Sequence, residues 1–261
     1  GDTLERFQYK KATGMTTLSA SFTDFRYKKH SHQEYAIGVT LRGAQQYNLD
    51  GKMQTSYPNG VMLFNPEQTH DGMAGDQTGI EYVMLYIDPD VFRDVLDRKE
   101  SFLFADPVIY HKDLQQKVLN LSGAVLREED SALCDDLLAD LALAFRAKIV
   151  TCRKREDHLM KTAKEMIHSL SGDVLALDSI CTELELSKFQ FIRMFQANEG
   201  ITPYQYYLNC KVEKAKRIIE ESGDIYSAVA GCSFVDLTHL NKHFTRRYGI
   251  TPFAYLACVR S

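Results

Sequence analysis

At 261 residues, with 44% hydrophobic and 25% charged residues, the chain has the composition of an ordinary soluble protein and is long enough for two compact domains. No window approaches the roughly 18 uninterrupted apolar residues of a membrane span, no signal peptide is legible, and six widely spaced cysteines without a CxxC pair read as reduced cytoplasmic thiols. The net charge of −4 argues against a nucleic-acid binder until the chain is divided: residues 1–150 carry −6 and residues 151–261 carry +2, the sign a phosphate partner requires.

From Ser19 to Ile87, short apolar runs such as Tyr35-Ala36-Ile37-Gly38-Val39-Thr40-Leu41 are punctuated by the turn signals Asp50-Gly51, Pro58-Asn59-Gly60 and Asn65-Pro66. This pattern predicts a β domain of barrel or sandwich type. If residues 30–42 are extended, His30, His32, Glu34, Ala36, Gly38, Thr40 and Arg42 project to one face, and Tyr35, Ile37, Val39 and Leu41 to the other. The first face is small in its middle and polar at its ends. It leaves room for a ligand, with Arg42 set to hold a carboxylate or hydroxyls.

After Asp88-Pro89 a helical period sets in, with helices expected near 89–98, 113–128 and 131–150. On the last of these, Leu133, Leu137, Leu138, Leu141 and Phe145 form a stripe that fits either internal core or a dimer seam. The polar run 151–157, with Arg153-Lys154-Arg155, reads as a linker.

The second half contains an internal repeat. Residues 186–207 superimpose without a gap on residues 235–256, at a constant offset of 49, pairing Phe195 with Phe244, Gly200 with Gly249, and Ile201-Thr202-Pro203 with Ile250-Thr251-Pro252. In the first copy, Leu186, Ser187, Gln190 and Phe191 spell a hydrophobic staple and capping box, so a helix starts at Ser187. In the second, Asp236 is the N-cap and Val235 is placed to staple against Leu240. Gly200 and Gly249 suit a left-handed helix end, and Thr-Pro restarts a helix at once.

Short helices upstream, with Ile180, Cys181 and Leu184 in one copy and Val229-Ala230 in the other, complete two helix-turn-helix arrangements. A plain helical bundle is the alternative. Against it, Phe189, Ile192, Arg193 and Gln196 group opposite the buried face of the first capped helix, where a bundle favours charge. Phe189 and Ile192 suit thymine methyls, and Arg193 suits guanine or phosphate. The second helix exposes Thr238, Asn241, Lys242 and Thr245, a polar face suited to base edges or phosphates.

These residues, with Ala215 and Phe234, resemble the AraC family of transcription regulators over about a hundred positions. The resemblance implies an all-α C-terminal domain of two helix-turn-helix subdomains joined by a long helix, here Pro203 to Glu221. Two recognition helices would then enter successive major grooves of double-stranded DNA, roughly 34 Å apart. Carried over by position, the DNA contacts are Phe189, Gln190, Ile192 and Arg193, then Leu237, Thr238, His239 and Lys242, with Asn241 added on geometry. His239 is expected to make a polar contact or cap its helix rather than to sense pH. Glu185 stands where the family favours Gly, the second turn has Ser233, and Lys211 replaces the usual Arg.

Residues 30–72 resemble, more loosely, the cupin-like effector barrel that precedes this unit in many family members. That likeness places ligand contacts at Arg42, Tyr82 and Met84, to which His32 and His70 are added. A metal-dependent cupin enzyme would use His30, His32 and His70 with a carboxylate such as Glu34. However, Glu34 falls too close to the histidine pair, and the Gly60…Pro66…His70 spacing misses the cupin pattern by a residue. No catalytic triad or phosphate-binding loop is present.

The sequence therefore predicts a two-domain α and β protein with no catalytic residue, metal or cofactor. A cupin-like barrel with connecting helices spans 1–150, a linker 151–157, and tandem helix-turn-helix motifs 158–261. The expected function is a cytoplasmic, ligand-responsive regulator, more in the manner of an activator. Its partners would be DNA, a small-molecule effector and RNA polymerase, with homodimer formation allowed. A ligand- or protein-interaction module carrying a degenerate DNA-binding unit is the other class.

Overall fold

The computed structural model describes residues 5–146, 148–151 and 158–260. It divides into two compact units, one β-rich and N-terminal, the other helical and C-terminal, with the strand segment Tyr27–His30 grouped with the second. The basic triplet 153–155 of the expected linker lies outside the described residues.

The β-rich unit runs β1 (Arg6–Ala12), β2 (Met15–Phe22), β3 (Arg26–His30), β4 (Tyr35–Arg42), β5 (Gln45–Leu49), β6 (Lys52–Ser56), β7 (Val61–Phe64), β8 (His70–Ala74) and β9 (Ile80–Ile87). Then come α1 (Pro89–Val95), β10 (Phe102–Phe104), β11 (Val108–Ile109), α2 (Lys112–Leu126), α3 (Ser131–Phe145) and β12 (Ile149–Thr151). The described strands form a six-stranded sheet, β1-β2-β9-β4-β7-β11, a four-stranded sheet, β3-β8-β5-β6, and a short β10-β12 pair. This is a two-sheet, cupin-like arrangement rather than a single closed sheet.

Asp50-Gly51 makes the β5–β6 hairpin. Leu49 pairs with Lys52, and both turn residues take positive φ (49° and 76°), as a two-residue primed turn requires.

Alternation decides which face of β4 meets the helices. Tyr35, Ile37 and Val39, with Val61, Leu63, Val83, Leu85 and Ile87, pack against Phe92 and Leu96, Leu114, Val118 and Leu121 of α2, and Leu138, Leu141 and Phe145 of α3. Burying each such side chain contributes about 1.5–3 kcal/mol. The α3 stripe is therefore largely core; Leu133 stays 44% exposed and Leu137 partly buried. The helix stops at Phe145, short of the expected 150, and the chain returns as β12 against β10.

The helical unit comprises α4 (His158–Ser169), α5 (Leu177–Glu183), α6 (Lys188–Glu199), α7 (Pro203–Ser222), α8 (Ile225–Gly231), α9 (Leu237–Tyr248) and α10 (Pro252–Val259). Phe191 and Phe195 of α6 are fully buried with Met160, Ile167, Ile180, Ile201 and Tyr206. Phe244 holds the matching place in the second copy, against Tyr248 and Tyr255.

Candidate functional site

In the first copy, Ser187 accepts from the Gln190 backbone N–H, and the Gln190 side chain accepts from the Ser187 N–H at 2.9 Å, closing the capping box. Gln190, one of the expected DNA contacts, is thus engaged at the cap. Gly200 ends α6 at φ 72°, and Thr202 caps α7 with a second box through Gln205. The buried phenylalanines orient α6 so that Phe189 is 72% exposed, Arg193 is exposed and Ile192 half-buried. Glu185 takes φ 54° in the turn, where glycine would be free of strain.

In the second copy, Asp236 accepts from the His239 backbone N–H at 2.7 Å, and Gly249 ends α9 at φ 80°. Two expectations are corrected here, for Val235 and for α8, and one of the two roles open to His239 is narrowed. Val235 is 85% exposed and makes no staple, because Leu240 is taken into the core without it. The apolar side of α8 is Ile225 and Ala228, not Val229-Ala230, a shift in helical phase. His239 does not cap α9 with its side chain; its ring lies edge-on to Phe234 (5.4 Å) and His243 (4.7 Å).

Thr238 and Lys242 are exposed, while Leu237 and Asn241 are half-buried. Among the described residues, Asn241 Oδ1 and His239 Nδ1 are buried without a hydrogen-bond partner. His243 is held to a pKa of about 4, first by burial and then by His239, Arg246, Lys242 and Lys211, so it is neutral at physiological pH.

Sequence reasoning noted Lys211 only as a departure. In α7 it is buried, its Nζ 4.6 Å from the Phe234 ring centre and 5.2 Å from that of Tyr207. It donates to the Ser233 carbonyl at 3.0 Å, and burial lowers its pKa. Ser233 is left-handed (φ 52°) and donates to the Gly172 carbonyl, and Tyr207 donates to the Asp173 carbonyl. These bonds tie the turn of the second copy to the segment that leads into the first.

In the β-rich unit, Met84 pairs across β4 with Gly38, and a Cβ on Gly38 would stand 2.6 Å from its sulfur. The space expected beside Gly38 is therefore filled by Met84. Tyr82, Met84 and Tyr86 alternate along β9 away from the helical core; Tyr82 and Met84 are buried. His32 lies 4.9 Å from His70 and 5.3 Å from Tyr86 between ring centres, and Phe64 packs on His70 at 4.4 Å. His32 and His70 are both buried.

Arg42 does not join them. A bulge between Thr40 and Arg42 breaks the alternation, and Arg42 is exposed, paired with Glu81 at 3.0 Å and donating to the Thr78 carbonyl at 2.8 Å. Tyr86 and Phe64 were missed, although the period of two on β9 marks Tyr86. Tyr47 is buried, which raises its hydroxyl pKa well above the usual value.

The chain matches the AraC-like ligand binding domain over residues 13–142 and a helix-turn-helix domain over residues 180–257. It is 36% identical over 241 residues to a probable transcriptional regulator, LumQ, of Photobacterium leiognathi, covering 89% of this chain and 94% of that one. It is 22% identical to the HTH-type transcriptional activator RhaS of Escherichia fergusonii, covering 87% and 86%. Among solved structures, unsaturated fatty acid bound wild-type ToxT from Vibrio cholerae strain SCE256 superimposes with a TM-score of 0.66 at 12% identity, over 95% and 96% of the two chains.

Proposed function

The chain belongs to the AraC family of transcription regulators, with a ligand-binding domain and a helix-turn-helix DNA-binding domain, and we propose that one chain reads two successive major grooves, one per recognition helix, under the control of a small molecule held by the β-rich unit. The observation that carries this reading is the repeat. Two helices with the same start, stop and buried phenylalanine each turn exposed residues outward, Phe189 and Arg193 on the first and Thr238 and Lys242 on the second. In α6, Phe189, Ile192 and Arg193 read bases, and Gln190 contributes its amide N–H groups while its oxygen caps the helix. In α9, Thr238 and Lys242 meet base edges or phosphate, with Leu237, His239 and Asn241 at the margin.

The ligand contacts in this reading are His32, His70, Tyr82 and Met84, joined by Tyr86 and Phe64. Arg42 is left out because Glu81 already holds it at the surface. ToxT, solved with an unsaturated fatty acid, supports an effector role for this architecture. RhaS, named an activator, supports activation with RNA polymerase as partner, and the exposed Leu133 and Leu143 of α3 suit a homodimer. The chain acts without catalysis, in the cytoplasm, where its DNA is. Among the described residues no helix is long and apolar enough to cross a membrane.

The effector acts by favouring one of two conformations that differ in DNA affinity or polymerase contact. The test is selection of genomic fragments by the purified protein, repeated with candidate metabolites. Enrichment of a common operator whose occupancy or transcription changes with one metabolite is expected. Failure to enrich any fragment would overturn DNA reading in favour of a degenerate interaction module, and metabolite-independent binding and transcription would overturn effector control.

A further inference from the structure

We propose that Lys211 is a positioning residue for DNA reading: its buried ammonium braces the second reading helix, α9, against the first helix-turn-helix copy and so fixes the operator spacing the pair accepts. This inference rests on the two-groove reading above. Lys211 lies near the middle of α7 and is 4% exposed. On one side its Nζ stands over the ring of Tyr207, which packs in the same core as Phe191 and Phe195 of the first copy. On the other it donates to the Ser233 carbonyl and stands over the Phe234 ring, both in the turn that leads into α9. Both rings lie within the roughly 6 Å over which an aromatic face attracts a cation. Phe234 carries the hold into the reading helix, because its ring meets His239 of α9 edge-on.

The second observation is a pair of hydrogen bonds that close the same contact. Ser233 Oγ donates to the Gly172 carbonyl at 2.5 Å, and Tyr207 donates to the next carbonyl, that of Asp173. Gly172 and Asp173 lie between α4 and α5, in the segment that leads into the first copy. Here the backbone runs so close to the second copy that a Cβ on Gly172 would stand 2.3 Å from Lys214 Nζ and 3.2 Å from the Gly231 carbonyl oxygen. α7 joins the two copies along the chain, and this contact joins them across space.

Stability alone does not call for an ammonium at this place. Burial penalises the charge and lowers its pKa, and apolar side chains filling the space of buried ions are often no less stable. What the charge adds is direction: a donor aimed at one carbonyl, between two ring faces, favours a single placement of the turn. A purely apolar contact would let α9 slide or rotate at little cost. Two readers on a loose connector gain little from the second half of an operator, whereas a fixed pair gains the full benefit of linkage at one spacing. Lys211 thus governs spacing without touching DNA.

The test uses the full-length chain and an operator enriched from genomic fragments by the wild type, in two duplexes: one with native spacing and one with a base pair inserted between the halves. The insertion turns the second groove by roughly 35° and moves it about 3.4 Å. The wild type is expected to prefer the native duplex by about tenfold or more, and Lys211→Met to lose most of that preference while keeping the wild-type circular dichroism. Lys211→Arg, which restores charge, donor and ring stacking, should recover it. Equal preference in the wild type and a folded Lys211→Met would overturn the brace and leave the two-groove reading intact. Should Lys211→Met fail to fold, Tyr207→Phe decides: a reduced preference supports the brace and an unchanged one refutes it. A wild type indifferent to spacing would overturn the two-groove reading itself, and the brace with it.

Discussion

In the first helix-turn-helix copy the reading helix is closed by a capping box and turns an exposed Phe189 and Arg193 outward. In the second, the cap is Asp236, the box is absent because His239 stands at its third position, and the outward groups are Thr238 and Lys242. What the copies share is the machinery that stops and restarts a helix: a left-handed glycine, then Thr-Pro, over a buried phenylalanine. Fold therefore constrains the ends and the inner face, while the outer faces differ in their exposed residues. Under the proposed reading, the first would make base contacts of mixed polarity and the second polar and phosphate contacts.

Several measurements can break or sharpen that contrast. Phe195→Ala and Phe244→Ala should each cost about 3–5 kcal/mol in urea unfolding, because both side chains are fully buried. Markedly unequal costs would show that the inner faces are not equivalent after all.

The outer faces should respond differently from one another. Arg193→Ala is expected to weaken specific DNA binding by about 1–3 kcal/mol and to relax preference at one base. Lys242→Ala should weaken all sequences alike and lower the slope of log K against log salt by about 1. Matching profiles for the two variants would remove the division of labour.

The turns offer a finer comparison. Glu185→Gly should stabilise the fold by about 1 kcal/mol by relieving a left-handed non-glycine residue. Ser233→Gly should gain less, since it also forfeits the bond to the Gly172 carbonyl. Equal shifts in Tm would mean that this bond contributes nothing.

Finally, His243 has a folded pKa of about 4 against an ordinary 6.5. Between those values the unfolded chain binds more protons, so stability should fall as pH drops from 6.5 toward 4. Above 6.5 this contribution is fully present. His243→Gln should flatten the profile in that window, and an unchanged profile would dismiss the linkage.

The caps were legible because they are local, each depending on residues within four positions, and the 49-residue repeat because its two copies align without a gap. What escaped depended on register or on distant neighbours. Arg42 follows the alternation of β4 on paper, but one bulge re-aims it to the surface. Gly38 reads as vacant space until the pairing of β4 with β9 sets Met84 against it. Val235 has the right type for a staple, yet its helix buries Leu240 without it. His32 and His70 are named together from the sequence, but the Tyr86 and Phe64 rings that pack on them come into view only in the folded sheets.

α7 has 20 residues and so spans about 30 Å, close to one turn of B-DNA. Under the proposed docking it acts as a ruler as well as a connector. Substitutions on α6 or α9 can change what each reader recognises one base at a time. A residue inserted into α7 would instead rotate one reader about 100° against the other and advance it about 1.5 Å. The vocabulary of this regulator can thus drift freely, whereas its grammar, the spacing between the two words of an operator, changes only if helix and DNA change together.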